Sequence, residues 1–378
     1  MNLANARVLI AAHYAAPYEG NFIASLKALQ NKLLSEFNAK CAFVFPKSMQ
    51  EQSWANKFIN ENTVYLSGNK NSLICRSEAE AIIAEFEPHI IYTHFEGYDT
   101  ALYKAARKIS KSIRTVWHMH DTMVYHHNPL KALYQRYCFF RHYGMPFIKC
   151  SIYGGGVKPC LIGICSHELK FIRKFRLGIS IKEATLPNGI NITRINPAKR
   201  QKHETFTFLA FAGRNVQKRV DLLLLAADNM VKTGTNINIV LVDGNRPTVA
   251  ETLFSTKPEW LTEIAPREDI NSVFALADCF VSTSRHETFS YAIAEAAIFG
   301  LPIIQSDIEG TMWNASNPSV FLFKSENIKD LEQVMRHVMN IDSTELHHKC
   351  QISKDNIVRL YSIESWAGKI ADFFQSIP

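Results

Sequence analysis

At 378 residues, 47% apolar and 20% charged, the chain is too long for one ordinary domain and suits two of about 150–200 residues each. It holds no run of about 18 apolar residues and no basic segment ahead of its first apolar stretch, so neither a membrane span nor a signal peptide is expected. The net charge of +7 is unevenly placed: residues 1–200 carry 26 Lys and Arg against 13 Asp and Glu, whereas residues 201–378 carry 16 against 22. That change of sign suggests two domains with different partners.

Residues 6–13, ARVLIAAH, read as a strand, and residues 21–37 as a helix with Phe22, Leu26, Leu29 and Leu33 at helical spacing. A strand is expected over 41–46 and a Ser-capped helix with an acidic first turn over 77–87. Strands follow over 89–95 and 114–120, separated by a helix over 98–110, then a strand over 160–165 and a helix over 166–175. The Pro-Asn-Gly breaker in LPNGI (186–190) and the polar stretch 196–205 mark a linker. The pattern then restarts, with strands over 207–213, 237–244, 279–284 and 301–307 and helices over 219–232 and 290–299. A last helix over 362–375 bears Ile363, Trp366, Ile370 and Phe373. Strands alternating with helices in both halves predict an α/β protein with two parallel sheets. The eight cysteines are scattered and form no Cys-x-x-Cys pair, which suits free thiols in a reducing compartment better than a disulfide scaffold or a zinc site.

Open parallel sheets bind ligands beyond the carboxyl ends of their strands, so the residues just past those ends carry the functional reading. After the strand ending at Gly213 come Arg214, Asn215, Val216, Gln217, Lys218 and Arg219. A tight turn and three cations leading into a helix suit a pyrophosphate, through charge and helix N-terminal amides; an exposed basic turn would look the same. After the strand over 279–284 comes RHETFSYAIAEAAIFGLP. Glu287 precedes the helix there, and the amides near Thr288 to Ser290 offer an anion site. Glu295 sits among Ala292, Ile293, Ala296 and Ala297, where a buried carboxylate needs a partner; ligand hydroxyls would serve, as would a place at the helix edge. His120 closes its strand beside Asp121 and is a candidate for positioning or proton transfer. His118 alternates onto the same face, and His94 closes the strand before.

HIIYTHF, WHMHD, LPNGI, GRNVQK and RHETFSYAIAEAAIFGLPII, in this order and at these spacings, make the chain similar over nearly its whole length to the retaining family-4 glycosyltransferases (glycosyl transferases group 1). The resemblance implies the GT-B fold, two Rossmann-like parallel-sheet domains facing a central cleft. The acceptor-side domain would span 1–190, joined by a C-terminal helix over 360–378 that crosses back to it, and the nucleotide-sugar-binding domain would span 201–359. Arg214 and Lys218 would hold the donor pyrophosphate and stabilise the leaving nucleotide diphosphate, with Gly213 at the turn. Glu287 would hydrogen-bond the donor sugar and Glu295 the ribose, while Thr288 and the amides near Phe289 and Ser290 would complete the donor contacts. His120 would lie near the transferred sugar, and Gly20 would border donor or acceptor. This chain has Glu287-Thr288-Phe289-Ser290 where the family has Glu-Gly-Phe-Gly, and Arg219 where a glycine often follows the lysine.

The implied reaction moves a sugar from a nucleotide-diphosphate sugar, a UDP-sugar being favoured, to a hydroxyl of a glycan or lipid-linked acceptor with retention, in cell-surface polysaccharide biosynthesis. No carboxylate nucleophile for a double displacement can be named, so front-face attack is the default. No Asp-x-Asp motif is present, so neither a catalytic metal nor a cofactor is expected. The rivals are a nucleotide-sugar epimerase and a catalytically silent glycosyltransferase-like partner subunit; the presence of Arg214, Lys218, Glu287 and Glu295 argues against the second. Residues 122–167 lack Asp and Glu but hold Lys131, Arg136, Arg141, Lys149 and Lys158 among many Tyr and Phe residues. A helix over 130–143 would place Leu130, Leu133, Tyr134, Tyr137 and Phe140 on one face. That composition suits an anionic membrane surface, and packing of the same rings into the core is the alternative. The expectation is a cytoplasmic protein, peripheral on the inner face of the cell membrane, with no nucleic-acid partner.

Overall fold

Runs such as RVLIAA and CAFVF are apolar on both faces of a strand, and only a sheet covered on both sides can bury them. The computed structural model describes residues 1–68, 74–95, 97–120, 159–173, 181–197, 203–213, 216–245 and 247–378, with positions 130, 133, 137 and 140 besides. The chain divides into Met1–Gly189 with Ile363–Pro378, the first unit, and Ile190–Ser362, the second.

The first unit holds β1 (Arg7–Ala12), β2 (Lys40–Phe45), β3 (Val64–Leu66), β4 (Ile90–His94), β5 (Arg114–Met119), β6 (Cys160–Gly163) and β7 (Glu183–Thr185). Their order across the sheet is β3-β2-β1-β4-β5-β6-β7, with every pair parallel. On one face the helices Gly20–Phe37 and Ile363–Gln375 bury Leu26, Leu29, Leu33, Trp366, Ile370 and Phe374 against the sheet. The C-terminal helix therefore belongs to the N-terminal core. Its approach requires a glycine in the PNG turn, because a Cβ on Gly189 would lie 2.9 Å from Trp366 Cβ and 3.0 Å from Ile363 Cα. The helix Asp99–Ile109 covers the other face, burying Leu102, Tyr103 and Ala106 around Trp117.

The second unit holds β8 (Thr207–Phe211), β9 (Asn238–Val242), β10 (Leu261–Ile264), β11 (Cys279–Ser282), β12 (Ile303–Ser306) and β13 (Val320–Phe323). They are ordered β10-β9-β8-β11-β12-β13 and are also all parallel. In each sheet the strand order reverses once, between β1 and β4 and between β8 and β11. That reversal opens a crevice at the carboxyl ends, where open α/β sheets take their ligands. Gly20 and His94 lie just past β1 and at the end of β4; Gly213 to Lys218 and Ser284 to Ser290 lie just past β8 and β11. Among the described residues no helix is long and apolar enough to cross a membrane.

Candidate active site

In the second unit, the segment after β8 turns at Gly213, whose φ of +61° is the left-handed region that favours glycine. Arg214 and Asn215 lie outside the described residues. A short 3-10 turn, Val216–Lys218, leads into the helix Val220–Lys232. Two bonds join this segment to the one after β11: Arg285 N donates to Gln217 O at 2.8 Å, and Thr283 Oγ1 to Lys218 O at 2.9 Å. The side chains meet as well. Lys218 Nζ donates to Glu287 Oε1 at 2.5 Å, and Ser284 Oγ donates to the same oxygen at 2.8 Å. The Glu287 side chain is 9% exposed and that of Lys218 27%. The resemblance assigned these two groups to different parts of a donor; the structure bonds them to one another.

Arg219 departs from the sequence reading. It does not extend a basic cluster, because its guanidinium is held by Asp221, with Nε–Oδ1 and Nη2–Oδ2 at 3.0 Å, and by Glu326 at 3.2 Å. Glu326 also takes Arg285. Arg219 has φ +47° and Ser290 φ +61°. These are two positions where the resembling family has glycine, and an L-residue there costs about 1–2 kcal/mol.

The helix Tyr291–Phe299 starts after Ser290 and stops at Gly300, with φ +98°. It is buried from Ile293 to Phe299, which explains an apolar sequence with no polar stripe. Glu295 is 8% exposed in that setting. Its carboxylate faces Arg194, with Nη1 3.5 Å from Oε1, so a protein cation already partners the group for which sequence reasoning had sought ligand hydroxyls or a helix edge. Thr288 is partly exposed. The Phe289 ring is buried and stacks on Trp313 at 4.5 Å, and Trp313 Nε1 donates to Phe289 O at 2.6 Å. Gly310 presses on the Glu287 carbonyl so closely that a Cβ there would fall 1.6 Å from the oxygen. The 3-10 segment Glu309–Asn314 thus props the loop that carries Glu287. Asn245 Nδ2 donates to Gly213 O at 2.6 Å and to Asp243 Oδ1 at 2.7 Å, holding the other loop.

In the first unit, Gly20 has φ +59° and opens the helix Gly20–Phe37. His120 follows β5, partly exposed, with its Nε2 3.0 Å from His94 Nδ1. Phe22 meets His120 edge-on, and Phe95 lies 4.4 Å from it between ring centroids. Burial holds His94 and His118 well below the usual histidine range and brings His120 down to about 3, so all three rings are neutral near pH 7.

Residues 193–355 match the family model for glycosyl transferases group 1. The chain carries a group 1 glycosyltransferase domain. No curated protein matches the chain. Among solved structures it is similar to sucrose-phosphate synthase from Thermosynechococcus elongatus, with a TM-score of 0.71 at 12% identity and 98% of each chain covered. It is similar to HepE from Anabaena in complex with UDP and glucose, at 0.70 and 14%, covering 98% of this chain and 100% of that one. It is also similar to the lipopolysaccharide outer core galactosyltransferase WaaB, at 0.67 and 15%, covering 98% and 99%. At these identities the likeness carries the fold, GT-B, and chemistry must be argued from the site.

The group 1 glycosyltransferase domain contains Gly213, Lys218, Glu287 to Ser290 and Glu295; Gly20 and His120 belong to the first unit. Sequence reasoning missed Ser284, Gly310, Trp313, Asn245 and Arg194. Gly310 alone left a signal, a glycine a few residues past the end of an apolar strand. Arg194, Trp313 and Asn245 act through contacts between segments distant in sequence, whereas Ser284 bonds Glu287 only three residues on.

Proposed function

We propose that the chain is a retaining glycosyltransferase that moves a sugar from a nucleotide-diphosphate sugar, a UDP-sugar being favoured, to a hydroxyl of a glycan or lipid-linked acceptor in cell-surface polysaccharide biosynthesis. The observation that carries this reading is the Lys218–Glu287 pair, set at the strand-order reversal of a group 1 glycosyltransferase domain beside a helix N-terminus. When the anomeric bond breaks, negative charge grows on the leaving diphosphate. Arg214, Lys218 and the amides near Phe289 and Ser290 are the groups that stabilise it, and fixed donors do so without reorganising. Glu287 accepts from sugar hydroxyls through the carboxylate capacity that Lys218 and Ser284 leave over. Glu295 receives the ribose hydroxyls, Thr288 and Gly213 border the donor, His120 lies near the transferred sugar, and Gly20 borders donor or acceptor. The bound UDP and glucose of HepE and the lipopolysaccharide substrate in the WaaB name support the donor and acceptor classes proposed.

A panel of nucleotide sugars assayed with glycan and lipid-linked acceptors tests this. Release of nucleoside diphosphate with a glycosylated product is the expected result, and it persists in EDTA, since no acidic metal motif enters the proposed chemistry. An epimerised donor, or activity abolished by EDTA and restored by Mg²⁺ or Mn²⁺, would overturn the corresponding part.

Glu295→Ala weakens nucleoside diphosphate affinity by more than about ten-fold, the scale of losing hydrogen bonds to a charged group. Glu295→Gln, which keeps the shape facing Arg194, loses less. Calorimetry with UDP checks both, and unchanged affinity in Glu295→Ala removes the ribose role.

Peripheral membrane docking through residues 122–167 belongs to the same proposal. Leu130 at 76%, Leu133 at 64% and Tyr137 at 56% are exposed, whereas Phe140 packs against the core. The five basic residues of the segment lie outside the described residues. The expected result is co-sedimentation with anionic liposomes at low salt, lost on neutral liposomes and reduced at high salt. Binding that ignores lipid charge and salt would argue instead for a soluble acceptor.

A further inference from the structure

Three histidines converge at the carboxyl ends of β4 and β5. The two strands pair in register at His94 and His118, and His120 lies two residues on, toward the same face as His118. Ring centroids are 5.2 Å apart for His94 and His118, 4.5 Å for His118 and His120, and 5.2 Å for His94 and His120. Each ring offers one nitrogen, and the three nitrogens lie within 4.8 Å of one another. His94 and His118 are 1% and 0% exposed, and among the described residues Nε2 of each has no hydrogen-bond partner. Buried polar atoms of this kind call for a bound water or an ion.

We propose that His94, His118 and His120 bind one divalent transition-metal ion, Zn²⁺ fitting three imidazoles best. A neutral pair can share only one proton across the 3.0 Å contact between His94 Nδ1 and His120 Nε2. That separation is close to the roughly 3.3 Å between two nitrogens on a tetrahedral ion with bonds of about 2.0–2.1 Å, so an ion can take the place of the shared proton; His94 then binds through Nδ1 and keeps its proton on Nε2, and the ion satisfies the orphan nitrogen of His118 alone. His118 Nδ1 meets Tyr92 Oη at 2.5 Å. A ring N–H donated there leaves the Nε2 lone pair for the ion, the usual role of an outer partner in a histidine site. Small ring rotations close the wider separations, and the partial exposure of His120 gives an entry and a fourth position for water. The site stands on the first unit alone and does not depend on the glycosyltransfer reading. If His120 also serves a sugar, the ion withholds it, so the site inhibits and EDTA leaves transfer intact.

The test uses the full chain stripped with chelator, then dialysed against Zn²⁺ or Co²⁺. One bound equivalent is expected, with the intense visible absorption of a tetrahedral cobalt centre. His118→Asn and His94→Asn each lower Zn²⁺ affinity by about ten-fold or more, while His347→Ala, at an exposed position of the helix Ser343–Tyr361, leaves it unchanged. Circular dichroism checks the fold of the variants, and the wild-type cobalt spectrum decides the matter should a variant unfold. Binding below one equivalent, a weak octahedral cobalt spectrum, or affinity unchanged in both folded histidine variants overturns the site and leaves the orphan nitrogens to ordered water.

Discussion

Lys218→Met is expected to lower turnover by about 10²-fold or more, because a cation aimed at a leaving diphosphate acts mainly in the transition state. The structure adds a second effect that the sequence alone did not suggest. Glu287 is nearly buried and accepts from Lys218 and Ser284. Removing the ammonium leaves its carboxylate with a hydroxyl and, among the described residues, no cation, and breaking a buried pair costs about 3–5 kcal/mol, less here because Lys218 keeps some solvent. The single variant therefore loses stability as well as rate. The double variant Lys218→Met/Glu287→Gln separates the two: it regains most of the melting temperature and none of the turnover. Arg214→Ala depresses turnover on the same scale. Thermal melts beside single-turnover transfer assays read both quantities. Near-normal turnover in Lys218→Met and Arg214→Ala would sink the assignment of these cations to the leaving group.

The central strands were readable for a physical reason, and the edge strands were not for the same reason. β1, β4, β5, β8, β11 and β12 are covered on both faces and centre on short apolar runs, with polar residues such as Thr93, His118 and Gln305 buried among them. β3, β7, β10 and β13 escaped notice, and each is an edge strand of three or four residues with mixed burial. A half-solvated edge has no need of a continuous apolar run. The helix Tyr291–Phe299 was read over 290–299 although it has no polar face and no side chain caps its start. In the site, groups that follow one another past a strand end, such as Gly213 and Lys218 or Glu287 and Ser290, could be found by position. Partners brought in from another segment could not. Arg194 facing Glu295, Trp313 under Phe289 and His94 beside His118 are pairings made by topology, and nothing in local spacing encodes them. Arg219 shows the converse: its charge looked available in the sequence, yet Asp221 two residues later and Glu326 from the far end of β13 hold it.

The other large effect expected comes from a residue with no side chain. Gly310→Ala places a Cβ 1.6 Å from the Glu287 carbonyl oxygen and 2.3 Å from its carbonyl carbon, far inside contact distance. Both neighbours are backbone, so no rotamer change relieves the clash, and either the Glu309–Asn314 segment or the Glu287 loop must move by more than an ångström. Moving the segment disturbs the Trp313 bond to Phe289 and the Gln305 Nε2 bond to Thr311 O, the latter buried. Moving the loop draws Glu287 away from Lys218 and Ser284 and displaces the amides before the helix Tyr291–Phe299. Overpacking of this kind costs about 3 kcal/mol, which in a unit of this size lowers the melting temperature by roughly 6–12 °C. A displacement of about 1 Å at a reacting centre can cost about 10²-fold in rate, so turnover should fall on that scale even at temperatures where the variant stays folded. Gly368→Ala is the control: it lies in the helix Ile363–Gln375, and its Cβ would meet Lys32 Cε at an ordinary 3.5 Å, so melting and turnover stay near wild type. If Gly310→Ala melts and turns over like the wild type, the Glu309–Asn314 segment does not hold the Glu287 loop, and the positioning of that carboxylate must come from Lys218 and Ser284 alone.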